Sequence, residues 1–114
     1  MLFEDTIKIK TLENSILIEV PVFLNFIPTK DFLVQVEKIY DTKFFPEIII
    51  NIEKKTTLSS VSYGFIMSIS KFCVQKNVRL KLICRNEKVL DMIEILKIGK
   101  LFKIFPTVEE ALKN

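Results

Sequence analysis

The sequence predicts an α/β domain in which a mixed sheet of four to five strands carries about four helices, in the order ββαβαβαβα. Three patterns lead to it. Apolar and charged residues alternate at 7–10 (IKIK) and over part of 15–22 (SILIEVPV), the period of half-buried strands. From Thr29 the period changes to that of a helix. The run EIIINI at 47–52 is nearly all apolar and rich in β-branched residues, which suits a strand covered on both faces. Strand and helix alternate from there onward, as expected of parallel strands joined by right-handed helical crossovers, and two layers fit this length.

Each element has its own signal. Glu13 and Asn14 supply turn chemistry between the first two strands, giving a hairpin. Phe32, Leu33, Val36, Ile39 and Tyr40 make one helical stripe, with Thr29 placed as N-cap after Pro28. Pro46 precedes the 47–52 strand, the expected sheet centre. A second helix is predicted over about 61–75, where Gly64, Ser68, Lys71 and Gln75 form a narrow polar stripe and the rest is expected to be buried. Residues 78–84 (VRLKLIC) alternate again, with Leu80, Leu82 and Cys84 on one face. Asn86 can cap a helix carrying Val89, Leu90, Met92, Ile93 and Leu96, with Gly99 ending or following it. A short strand at 101–105 then leads to Thr107 and Glu110, at capping-box spacing for a last helix.

Composition narrows the function. At 114 residues the chain fits one domain, 1–114, and its 49% hydrophobic content with ten Phe can form a core. A net charge of +3, with only Arg79 and Arg85 as arginines and lysines scattered along the chain, lacks the concentrated basic face of a nucleic-acid binder. No leader and no apolar run near a bilayer's span are visible, so the expected location is the cytoplasm, without membrane insertion. Cys73 and Cys84 lie apart with no CxxC and read as small core residues in a reducing compartment. The absence of His removes the usual Ser-His-Asp and Cys-His systems and most zinc sites. Two glycines, Gly64 and Gly99, cannot build a P-loop or a GxGxxG fingerprint. Asp31, Glu53, Asp91 and Glu94 form no constellation that selects a nucleophile, base and oxyanion site. The expectation is a non-enzyme without metal or cofactor.

Two stretches carry a resemblance. IIINIEKKTTLSSVSYGFIMSISKFC looks like a strand, a switch loop and a long apolar helix, and VRLKLICRNEKVLDMIEILKIGKLFKIFPTVEEAL like a closing strand, helix, turn, strand and acidic helix. Together with the element order, they resemble the STAS family, whose best-known soluble members are bacterial anti-sigma factor antagonists. The resemblance spans nearly the whole chain and implies the STAS fold. On the family's loop pattern Asp-Ser-Ser-Gly-Leu-Gly, Ser59 stands at the Asp, Ser60 at the phosphorylated Ser, Val61 at the second Ser, Ser62 at the first Gly, and Tyr63 and Gly64 at the Leu and second Gly. Asn25 falls where antagonists carry an Asp, and Val22 where they carry a Gly. Two acidic positions are thus neutral.

The resemblance implies a regulatory module for transcription that binds an anti-sigma factor of the GHKL-type ATPase and serine-kinase fold, and that phosphorylation switches. Ser60 is the candidate phosphorylation site. From position alone, Ser59 or Ser60 reads first as an N-cap that satisfies free backbone N–H groups, and the resemblance is what raises the phosphorylation reading of Ser60 beside it. Thr56, Thr57 and Ser62 are weaker acceptors, and Lys54 and Lys55 would favour a nearby phosphate. The candidate partner face comprises Asn25, Ser59, Ser60, Val61, Ser62, Tyr63 and Gly64, joined by Phe23, Leu24 and Phe26 from VPVFLNFIP, whose apolar side chains cannot all point inward. The alternative reading is a constitutive STAS subunit of a larger assembly, such as a phospholipid-trafficking ABC transporter. Nucleotide binding and a homodimer stay open.

Overall fold

The computed structural model describes residues 7–20, 29–52 and 60–113. Its strands are β1 (Lys8–Thr11), β2 (Ser15–Val20), β3 (Glu47–Ile52), β4 (Arg79–Cys84) and β5 (Lys103–Phe105). Its helices are α1 (Thr29–Thr42), α2 (Ser60–Lys76), α3 (Glu87–Leu96) and α4 (Val108–Lys113). The expected order ββαβαβαβα is the observed one.

The strands lie side by side in chain order, β1 antiparallel to β2 and the other pairs parallel, so EIIINI forms the central strand. Ile48, Ile49 and Ile50 are all fully buried there. Burying an isoleucine is worth roughly 1.5–3 kcal/mol, so this strand anchors the core on both of its faces. One face, with Ile16, Ile18, Ile48, Ile50, Leu80 and Leu82, packs in a single cluster with Val36 of α1, Phe65 and Ile69 of α2, and Val89 and Ile93 of α3. On the other face, Leu17, Ile49 and Ile83 pack against Ala111 and Val108 of α4. Three layers therefore replace the expected two. The last helix covers a face that the alternating pattern leaves undecided.

Several local expectations need correction. The closing strand begins at Lys103 and not at 101, because Leu101 N–H donates to Ile98 C=O in a turn. Helix α1 includes Thr29 itself, whereas the sequence places Thr29 just outside it as the cap. Gly99 follows α3, but the left-handed residue that ends it is Lys97, at φ 57°. Lys97 N–H donates to Glu94 C=O and Ile98 N–H to Ile93 C=O, the paired bonds of a Schellman ending, with Ile98 and Ile93 both buried. Asn77 ends α2 in the same way, at φ 57° with Val78 N–H bonded to Cys73 C=O. Helix α2 is also less buried than its composition suggests: Met67 is 40% and Val74 74% exposed, on the side shared with Lys71 and Gln75.

The caps at Asn86 and Thr107 are as expected. Asn86 Oδ1 accepts from Lys88 and Val89 N–H, and Thr107 Oγ1 from Glu110 N–H at 3.2 Å. Cys73 and Cys84 are free, buried core residues.

Candidate functional site

The three central strands end in one row, since Val20 is the register partner of Ile52 and Ile52 of Cys84. All three residues are buried. The chain therefore leaves β2 and β3 from adjacent points at this edge of the sheet, and it returns after β3 into α2 at Ser60. A helix start carries free backbone N–H groups and a partial positive charge. No acidic residue occupies the first turn of α2. An added anion there would meet no carboxylate from that turn.

Past that first turn the helix presents two contrasting neighbours. Tyr63 is half-buried against the core, and burial, followed by the nearby Cys84 thiol, pushes its phenol up from the ordinary value near 10. It therefore acts as a neutral hydroxyl on an apolar ring. Gly64 is exposed, and a Cβ built on it would meet nothing within 4 Å. Its φ is not positive, so the backbone does not require glycine there. What glycine provides is a stretch of helix that, among the described residues, is bare and open to close approach.

Hydroxyls further along α2 are already engaged. Ser68 Oγ donates to Gly64 C=O at 3.0 Å, and the buried Ser70 Oγ to Ile66 C=O at 2.9 Å. These back-bonds keep both side chains on the helix. The thiols are equally inert: burial raises Cys84 above its ordinary value and pushes Cys73 up to about 12. A thiol held protonated is a poor nucleophile.

Of the residues expected in the partner face, Tyr63 and Gly64 stand together on α2, and Ser60, Val61 and Ser62 belong to its first turn. Asn25, Ser59, Phe23, Leu24 and Phe26 lie outside the described residues, as do Lys54, Lys55, Thr56 and Thr57. Missing from the sequence reading is a run of exposed apolar side chains, Met67 and Val74, continuing the open side of α2. Helical spacing puts them near Gly64 and Lys71, but burial had to be seen to separate them from the core.

A second polar group, also missed, lies at the opposite edge of the sheet. Glu47 Oε2 accepts from Ser15 Oγ at 2.6 Å, and its Oε1 lies 2.9 Å from Lys81 Nζ. Lys81 Nζ also donates to Ala111 C=O at 2.6 Å and sits over the Phe105 ring. Both charged residues are buried, Glu47 6% and Lys81 4% exposed. Their partners saturate them. The cluster holds β2, β3, β4 and α4 together and leaves no group poised for chemistry. Among the described residues no three His, Cys, Asp or Glu side chains could hold a metal, and no helix is long and apolar enough to cross a membrane.

Comparison with known proteins agrees with this architecture. The family model described as "STAS domain" matches residues 6–111. No curated protein sequence matches. Among solved structures, the NMR structure of the protein TM1081 superposes with a TM-score of 0.72 at 18% identity, covering 100% of this chain and 91% of that one. The crystal structure of an anti-sigma factor antagonist from Mycobacterium paratuberculosis gives 0.68 at 16% identity, covering 99% of this chain and 97% of that one. At these identities the two likenesses concern the fold.

Proposed function

The chain belongs to the STAS domain family, and from that premise we propose that it is a cytoplasmic, non-catalytic regulatory module of the anti-sigma factor antagonist kind, acting as a single domain over 1–114. Its partner is an anti-sigma factor with the GHKL-type ATPase and serine-kinase fold. The contact is made by the first turns of α2 with the segments that follow β2 and β3, including Asn25 and Ser59. The observation that carries this reading is the exposed helix surface at Gly64 beside the half-buried Tyr63, which lies near Cys84 at the end of β4, in the row of strand ends that includes Val20 and Ile52.

Ser60 is the switch in this account. Phosphorylation adds about −1.5 to −2 charges and three acceptor oxygens. At the start of α2 that charge is compatible with the helix dipole and with a first turn free of carboxylates. The fold therefore tolerates the phosphate while a partner shaped for a neutral hydroxyl is repelled.

Affinity capture from the native cell with wild type, Ser60→Ala and Ser60→Asp, followed by intact-mass measurement, tests the reading. The expected result is a kinase-like ATPase held by wild type and Ser60→Ala, released by Ser60→Asp, with wild type carrying one phosphate that Ser60→Ala lacks. Retention of one partner by all three proteins, with no phosphate, overturns the switch. That outcome would favour a constitutive subunit of a larger assembly, such as a phospholipid-trafficking ABC transporter. The exposed Met67 and Val74 are the observation on its side, because permanent interfaces are the more apolar ones.

A further inference from the structure

At the edge of the sheet away from Ser60, a groove with a cavity volume of about 320 Å³ opens between the start of β4 and the approach to β5. Four of its lining residues are cations: Arg79, Lys81, Lys100 and Lys103. Lys81 is neutralised by Glu47, whose second oxygen is taken by Ser15. Arg79 reaches the same carboxylate only through a long 3.5 Å contact and is 69% exposed. Lys100 and Lys103 are exposed and, among the described residues, have no ion-pair partner. No carboxylate lines the groove among those residues. Three weakly compensated cations thus converge on one cavity in a chain whose whole net charge is +3.

We propose that this groove binds a small phosphomonoester with an apolar body. The charge calls for an anion, and Arg79 offers the planar fork suited to phosphate oxygens. The volume lies at the lower end of the range for small-molecule sites. Leu101, 46% exposed, gives it an apolar wall beside Leu80 and Phe102. A bare inorganic ion would leave that wall wet, so an organic phosphate binds better than inorganic phosphate. The proposal is independent of the switch reading, because β4 and β5 run away from this edge toward the one that faces α2's start.

The test is a titration of isotopically labelled protein, following backbone amide shifts, with phenyl phosphate, inorganic phosphate and sodium chloride at matched ionic strength. The expected result is saturable shifts at residues 78–81 and 100–103 with phenyl phosphate, weaker ones with inorganic phosphate, and none with chloride. In the double variant Lys100→Gln, Lys103→Gln, whose exposed side chains carry no core contact, affinity falls about tenfold or more. The amide spectrum elsewhere stays that of wild type. Equal shifts with chloride, or unchanged affinity in the double variant, overturn the proposal. So does binding to vesicles of anionic phospholipid without any groove shift by phenyl phosphate, which would make the lysines a membrane-surface feature instead.

Discussion

Glu47 and Lys81 show what a single charge does when water is excluded. Each is desolvated, which costs several kcal/mol per ion, and each is compensated by its partners: the ion pair at 2.9 Å, the Ser15 hydroxyl and a long 3.5 Å contact from Arg79 for Glu47, and the Ala111 carbonyl and Phe105 ring for Lys81. Removing Lys81 leaves the buried Glu47 with only the Ser15 hydroxyl and the long Arg79 contact. Lys81→Met is therefore expected to lower unfolding free energy by about 3–5 kcal/mol, whereas Glu47→Leu combined with Lys81→Met recovers most of it. Urea denaturation of the three proteins checks this, and equal stability of the single and double variants would show that the pair does not act as a unit. The sequence conceals this role. In VRLKLIC, Lys81 sits at the polar place of an alternating strand, which reads as a solvent-facing position. Period-two alternation shows that side chains change faces, but not whether the second face is covered.

The element that covers it is α4, six residues supplied from the far end of the chain. Its capping signal at Thr107 is readable because a cap is a local bond, here Glu110 N–H to Thr107 Oγ1. Its docking against Leu17, Ile49 and Ile83 depends on residues distant in sequence and is not readable. The end of α3 shows the same division. Gly99 draws the eye as the left-handed residue, yet Lys97 holds that conformation, because burying Ile98 on Ile93 fixes where the helix must stop. A left-handed non-glycine residue costs roughly 1–2 kcal/mol, and glycine's extra chain entropy returns part of that. Lys97→Gly should thus stabilise the protein by about 0.5–1 kcal/mol, read as a shift of the denaturation midpoint with unchanged slope. A loss of stability would mean that the Lys97 side chain contributes more than its backbone strain costs.

For the molecule as a whole, the fold is legible because its strands and crossovers carry strong periodic signals and consecutive strands are neighbours in the sheet. The candidate site is legible in part. Spacing and the resemblance select Ser60 to Gly64, and the structure sets Tyr63 and Gly64 near the start of α2, with Tyr63 close to Cys84 at the end of β4. The exposure of Met67 and Val74 is a property of how three layers pack, which no local pattern records. We place the docking site of the protein partner on this open side of α2. A direct measurement is capture of the partner by Gly64→Arg, paired with its thermal midpoint. Among the described residues a Cβ there meets nothing within 4 Å, and the position is exposed, so the fold should hold with a midpoint within a few degrees of wild type. Partner binding is predicted to fall at least about a hundredfold, the steric cost of a bulky charge in a close helix contact. Wild-type capture by a fully folded Gly64→Arg protein would contradict the account and move the interface elsewhere.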